Sequence, residues 1–170
     1  MHQPKIRVAA FALFFAFPVV TCGLPARADA RADIKALEER FVAAFKAKDV
    51  EAIMRVYVPD QKLFVFDVVP PRQYVGAAAY RKDWQTFFGS FDGPINVELS
   101  DLDIAADRNL AYGHSIQRVT ASNKQGKRLD LTVRVTRVYK KTPGQWLIIH
   151  EHVSVPVDLD TGKPDLASKP

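Results

Sequence analysis

Between Asp29 and Lys48, the apolar residues Ile34, Leu37, Phe41 and Phe45 recur at intervals of three and four. That spacing predicts a helix with one buried stripe, whose start Asp29 or Asp33 can cap. Asp49 is placed to cap a second, shorter helix from Val50 to about Val58, with Ile53, Val56 and Tyr57 inward and Pro59-Asp60 as its stop. Leu63 to Asp67 reads as a short strand by its β-branched and aromatic content, broken by Pro70-Pro71. Tyr74-Val75-Gly76 leads into a third helix, Ala77 to Phe88, with Tyr80, Trp84, Phe87 and Phe88 on one side. Gly89 to Pro94 reads as a loop.

The rest of the chain reads as an antiparallel meander. Its strands are Ile95–Ala105, Leu110–Ser122, Arg128–Lys141 and Trp146–Val155, joined by turns at Asp107-Arg108-Asn109, Asn123–Gly126 and Thr142-Pro143-Gly144. Helices grouped before an antiparallel sheet indicate an α+β fold. Long strands that bury one face must curl over the helices, which leaves a cone-shaped space. Pro156 to Pro170 lacks an apolar pattern and is expected to be a loose tail.

Composition changes this picture mainly at the N-terminus. Lys5 and Arg7 precede an apolar run from Val8 to Val20, and Ala26-Arg27-Ala28 offers a small-x-small cleavage site. Residues 1–28 therefore read as a secretory leader, which places residues 29–156 as one domain in the periplasm or outside the cell. The apolar run is short for a membrane-spanning helix. Removing residues 1–28 takes away Lys5, Arg7 and Arg27 but no acid, so the formal charge falls from +5 to +2. That leaves no electrostatic case for a nucleic acid partner. Cys22, the only cysteine, leaves with the leader, and with it any disulfide or thiolate chemistry. A lipoprotein-type reading would instead make Cys22 a lipidated first residue, but Thr21 before it fits that poorly.

Three stretches carry a resemblance. The first runs from Asp49-Val50-Glu51-Ala52-Ile53 to Tyr57-Val58-Pro59-Asp60. The second is Phe66-Asp67 followed by Pro71, Tyr74, Gly76 and the Trp84 helix. The third joins Arg134-Val135-Thr136-Arg137-Val138-Tyr139, Gly144-Gln145-Trp146 and His150-Glu151-His152-Val153-Ser154. Together they resemble the SnoaL-like branch of the nuclear-transport-factor-2-like superfamily, across about Ala32 to Pro156. The resemblance implies a cystatin-like architecture, a curved antiparallel sheet over three N-terminal helices. The third stretch is also similar to the association domain of calcium/calmodulin-dependent kinase II, whose pocket holds several arginines. By that resemblance Arg137 and Arg118 match two of them, while Val153 stands where a third would be. The superfamily includes isomerases, cyclases and dehydratases beside binding and oligomerisation modules, so fold alone does not decide activity.

Among single residues, Asp67 is the candidate general base. It ends an apolar strand, and desolvation raises a carboxyl's proton affinity toward neutrality; the alternative is a strand-end cap. His150, His152 and Ser154 share one face of an extended strand and are expected on the pocket wall. Two such histidines could hold a metal with His114, but no spacing fixes a third ligand, and no metal is expected. Arg137 continues the stripe Leu129, Leu131, Val133 and Val135, where a guanidinium could grip a carboxylate. Tyr57 and Trp84 belong to the core and could also line a pocket. The chain carries no P-loop, GxGxxG turn, nucleophile elbow or CxxC pair, so no nucleotide, flavin or haem cofactor is expected.

The first functional expectation is an exported domain binding a small, partly apolar organic acid, anchored by Arg137 with Arg118 and dimerising through the outer sheet face. A second is a cofactor-independent isomerase, cyclase or dehydratase. Asp67 or His150 would then move a proton beside a carbonyl, and Tyr57 or His114 would stabilise the oxyanion. A third is an oligomerisation module with the arginines in subunit contacts.

Overall fold

The computed structural model describes residues 26–167. Most of the expected leader, Cys22 included, lies outside the described residues. The chain runs α1 (Ala26–Ala47), α2 (Val50–Met54), β1 (Phe64–Phe66), β2 (Tyr74–Val75), α3 (Ala77–Gly89), β3 (Phe91–Ala106), β4 (Leu110–Asn123), β5 (Arg128–Thr142) and β6 (Gln145–Ser154). The fold is α+β, as the element pattern predicts. Six strands form one curved sheet in the order β2-β1-β6-β5-β4-β3, antiparallel except where β1 lies parallel to β6. The helices cover its concave face. The α1 stripe packs on β3 and β6 with Ile34, Leu37, Phe41 and Phe45 buried.

Three expected boundaries move, each for a backbone reason. The second helix stops at Met54 because the chain then extends to pair with β6: Ile148 N donates to Val56 O at 2.9 Å, and Val58 N donates to Ile148 O at 3.0 Å. The expected loop Gly89–Pro94 is instead the end of α3 and the start of β3, with Phe91 opposite Asn123. β3 is an edge strand, so Pro94 can sit in it without breaking a ladder. The tail is not loose over its described part. Val157 bridges Pro164, and Leu166 O accepts from Thr132 N at 2.8 Å. β6 ends at Ser154 opposite Arg134, which leaves Thr132 N–H without a strand partner until the tail supplies one.

Side chains alternate cleanly along β4. Ala111, Gly113, Ser115, Gln117, Val119 and Ala121 are buried toward the helices, and Tyr112, His114 and Arg118 are exposed. The decisive irregularity is in β6. Val138 pairs with His150, yet its neighbour Tyr139 pairs with Ile148, so Ile149 is an extra residue opposite no partner. Such a bulge reverses which residues face inward beyond it. Ile148 faces the core before the bulge, and Glu151 and Val153 face it afterwards.

A small capping test follows from α2. The Asp49 side chain accepts from Ala52 N at 2.9 Å. Asp49→Ala should cost about 0.5–2 kcal/mol, read as a lower urea midpoint with an unchanged slope.

Candidate functional site

The bulge sorts the expected site residues into two sets. His150, His152 and Ser154 do not reach the pocket wall. His150 Nδ1 lies 2.9 Å from Phe64 O, and both imidazoles pack against outward-facing Phe66 at 5.6–5.7 Å between centroids. His114 stacks on Tyr112 on the exposed face of β4. Arg118 is exposed there too, in a paired contact with Asp130 at 2.9 Å for both bonds. These five residues surround no common space. Asp67, Arg137 and Trp84 do, and Tyr57 lies beneath them.

That space is a cavity of about 350 Å³ between the helices and the sheet. Phe41, Phe45, Trp84 and Phe87 form its helical wall, and Gln117, Val119, Leu131, Val133 and Val135 its sheet wall. Its size and mainly apolar wall suit a small organic molecule. A larger surface groove, about 740 Å³, lies beside the β3–β4 turn, lined by residues such as Ala105, Leu110 and Tyr112. The buried titratable groups are at the first site, not in that groove.

The floor of the cavity is an ionic network. Arg137 is 3% exposed; its Nε donates to Glu151 Oε2 and its Nη1 to Glu38 Oε2. Tyr80 OH donates to Glu151 Oε1 at 2.6 Å, and Tyr57 OH donates to Glu151 Oε2 at 3.0 Å. Tyr139 OH donates to Glu38 Oε1 at 2.7 Å. All four carboxylate oxygens are therefore bonded, which burial of two charges demands. The guanidinium also lies 4.0 Å above the Phe41 ring. Gly113 pairs with Arg137 across β4 and β5, and a Cβ there would sit 3.2 Å from the Tyr139 hydroxyl. The absent side chain makes room for the phenol that holds Glu38.

These contacts fix the protonation states. Burial raises Tyr57 and Tyr80 well above the usual tyrosine value, and the nearby Glu151 charge raises them further, so both remain phenols. Burial pulls Arg137 down, but Glu151 and Glu38 outweigh it and hold it cationic. The expectation that Arg137 is free to grip a ligand carboxylate meets two internal carboxylates already in place. Its burial within one chain also leaves it unavailable for subunit contacts.

Asp67 stands at the cavity wall. β1 places Val65 opposite Glu151 on the inner face, and strand alternation carries Asp67 to the same face. Burial pushes its carboxyl up to about 7, Glu151 and Asp83 add to the rise, and the Val68 and Val69 backbone N–H groups oppose it. The resulting carboxyl can both release and accept a proton near neutrality. Asp83, also on the wall, accepts from Tyr74 OH at 2.6 Å.

Four contributors escape the sequence reading: Glu38, Glu151, Gln117 and Asp83. Glu38 lies within the α1 apolar stripe, between Leu37 and Phe41, and Gln117 interrupts the small and apolar inner row of β4. Both interruptions are signals that the sequence carries. Glu151 is hidden by the bulge. Among the described residues, no group of three or more His, Cys, Asp or Glu side chains is placed to hold a metal ion.

The SnoaL-like domain family model matches residues 34–158. A solved nuclear-transport-factor-2-like protein of unknown function from Pseudomonas putida KT2440 is 31% identical, with 84% of this chain and 98% of that chain covered and a TM-score of 0.76. A structure from Xanthomonas campestris, assigned as a calcium/calmodulin dependent protein kinase II association domain, is 25% identical over 78% of this chain and 91% of that chain, with a TM-score of 0.64. One from Novosphingobium aromaticivorans DSM 12444, assigned as a scytalone dehydratase, shares the fold at 18% identity, with 72% and 81% covered and a TM-score of 0.63. No curated protein matches the chain. The helix-covered curved sheet, the matched span and these neighbours agree: the chain belongs to the SnoaL-like domain family of the nuclear-transport-factor-2-like superfamily.

Proposed function

We propose that this protein is a cofactor-independent acid–base catalyst, of the isomerase, cyclase or dehydratase type, acting on a small and largely apolar organic compound. The observation that carries the reading is Asp67, a half-buried carboxyl poised near neutrality on the wall of an apolar cavity. Asp67 Oδ1 accepts from Val68 N as a strand-end cap does, and the same carboxyl also lines the cavity. In this reading Asp67 takes a proton from a carbon or oxygen of the bound compound and returns it at a second position. The aromatic wall holds the compound and excludes water. The ionic floor fixes Glu151 and keeps its charge near Asp67, which makes the ionised Asp67 a stronger base.

Two alternatives fall behind for stated reasons. An organic acid would approach a floor with two carboxylates and one guanidinium, so a neutral ligand fits the electrostatics better than the expected acid. His150 does not reach the cavity, which leaves Asp67 as the proton-transfer group. The chain is proposed to work outside the cytoplasm, on the strength of the leader-like residues 1–28. It is also proposed to pair through the outer sheet face, where Phe64, Phe66, His150 and the 49%-exposed Tyr112 lie.

The test has two parts. Carbon-13 NMR of the aspartate carboxyls should show one group titrating near pH 7, lost in Asp67→Asn. A panel of small C–H acids in heavy water should show protein-dependent deuterium incorporation that drops about 10²–10⁴-fold in Asp67→Asn. An Asp67 that titrates near its ordinary value of about 4, with exchange unaffected by its replacement, would sink the proposal.

A further inference from the structure

The cavity beside Asp67 carries more negative charge than its own wall offsets. Its charged lining residues are Asp67, Asp83 and Arg137. Arg137 is answered twice over, by Glu38 and Glu151 beneath it. Asp67 and Asp83 have no cation within ion-pair distance among the described residues. They reach the cavity from different elements, Asp67 from the end of β1 and Asp83 from α3. Four carboxyls therefore stand against one guanidinium around a space with an otherwise mainly apolar wall. A charge surplus beside a low-dielectric space is costly until something positive joins it.

We infer that the cavity takes an organic cation, an ammonium group on a small apolar body, with Asp83 as its counter-charge. The inference deepens the acid–base reading by naming the compound's class, and it rests on that reading only for Asp67 as the base. Asp83 Oδ1 accepts from Tyr74 OH at 2.6 Å, and its Oδ2 has no bond among the described residues. Gln117 is a second, independent pointer. It is 5% exposed, lines the cavity, and interrupts the small and apolar inner row of β4. Its Nε2 is buried without a partner and out of a ligand's reach, so what Gln117 can offer a ligand is its Oε1, an acceptor. Three acceptors, Asp67, Asp83 and Gln117, thus meet one guanidinium that two glutamates already hold. The rings of Phe45, Trp84 and Phe87 form the helical wall beside Asp83. Aromatic rings attract cations, ammonium groups included, and most strongly where water is excluded. The same attraction operates within the protein, where the Arg137 guanidinium lies 4.0 Å from the Phe41 ring centroid. A neutral compound gains only the apolar wall. A cation gains the wall and the unanswered carboxylates.

The probe pair is trimethyl(phenyl)ammonium and tert-butylbenzene, which match in shape and differ by the charge. Water holds the cation far more strongly than the hydrocarbon, so a plain apolar cavity would prefer the hydrocarbon. Wild type at pH 8 should bind the cation at least as tightly. Asp83→Asn keeps an acceptor for Tyr74 and should fold, with a melting temperature close to wild type. It should weaken the cation about tenfold and leave the hydrocarbon unchanged. Gln117→Leu should lose a smaller part of the cation's affinity, since it removes a dipole rather than a charge. The cation's affinity should also rise with pH. Asp67 is faced by Glu151 from β6, Asp83 and Tyr80 from α3, and Tyr74 from β2, while Arg137 from β5 shares its cavity. These neighbours leave it to ionise at about 7, and a cation beside it favours the ionised form. Affinity should therefore increase about tenfold from pH 5 to pH 9. In Asp67→Asn the cation's affinity should be flat across that range. The quaternary probe has no proton of its own to confuse the profile.

A wild type that binds the hydrocarbon more tightly than the cation at pH 8 overturns the inference. So does a cation affinity that is unchanged in Asp83→Asn. If the cation binds as expected but wild type exchanges no C–H acid, the acid–base reading fails and the cation site stands. If exchange depends on Asp67 and the hydrocarbon is the tighter ligand, the reverse conclusion follows.

Discussion

Replacing Arg137 with methionine should cost about 3–5 kcal/mol of folding stability, against a total of about 5–15 kcal/mol for a typical domain. The guanidinium donates to both Glu38 and Glu151, and all three residues are at most 3% exposed. Methionine fills much of the volume but removes the only positive charge between the two carboxylates in this network. Tyr57, Tyr80 and Tyr139 would still donate to them, yet neutral phenols cannot offset two buried charges of one sign. The expected readout is a urea midpoint far below wild type with little change in slope. The triple change Glu38→Gln, Arg137→Met, Glu151→Gln should recover part of the loss, because it removes the uncompensated charge along with the cation. A single Arg137→Met variant as stable as wild type would show that the carboxylates do not depend on the guanidinium.

Asp67→Asn should stabilise the protein, and by more at high pH than at low pH. The folded carboxyl titrates at about 7, above the ordinary unfolded value near 4. A group raised in this way binds its proton more tightly in the folded state, so its favourable contribution is complete below about pH 4. That contribution is lost as pH rises from there through about 7, where the folded carboxyl ionises. Asparagine cannot ionise, so the variant avoids the loss. The variant-minus-wild-type difference should therefore be small near pH 4 and reach its plateau above about pH 8. A rise of that size corresponds to at most about 4 kcal/mol. The real gain should be smaller, since Asp67 keeps some solvent contact at the cavity wall. Urea titrations at several pH values measure the difference directly, and a flat profile would contradict the raised carboxyl. The same substitution is expected to abolish proton exchange. Gain of stability with loss of activity is the usual signature of a charge held at a site for function.

Much of the fold is legible in the chain. The α1 stripe, the break at Pro70-Pro71 and the spacing of turns after Asn109 predict helices followed by a long-stranded meander. The side chains that build each element are local, and periodicity reports local geometry well. The candidate site is legible only in part. Asp67 and Arg137 can be found because each continues an apolar strand pattern with a charge. Glu38 carries the same signal within its helix, yet the apolar stripe alone does not single it out. The histidines are misplaced by strict alternation from Trp146 to Ser154, which the strand does not keep.

By itself, then, the sequence determined the fold class, the element order and the candidacy of Asp67, because those follow from hydrophobic spacing and from where charges interrupt it. Only the tertiary structure decided what faces the cavity. One extra residue, Ile149, turns Glu151 inward and the two histidines outward. No periodicity marks it, since a bulge exists only relative to the strand beside it. The same holds for Arg137. Its neighbours along the chain suggest an anchor for an external acid, while two glutamates 99 and 14 positions away claim it inside the fold. A charge's role depends on its counter-charges, and here packing, not sequence proximity, brings them together.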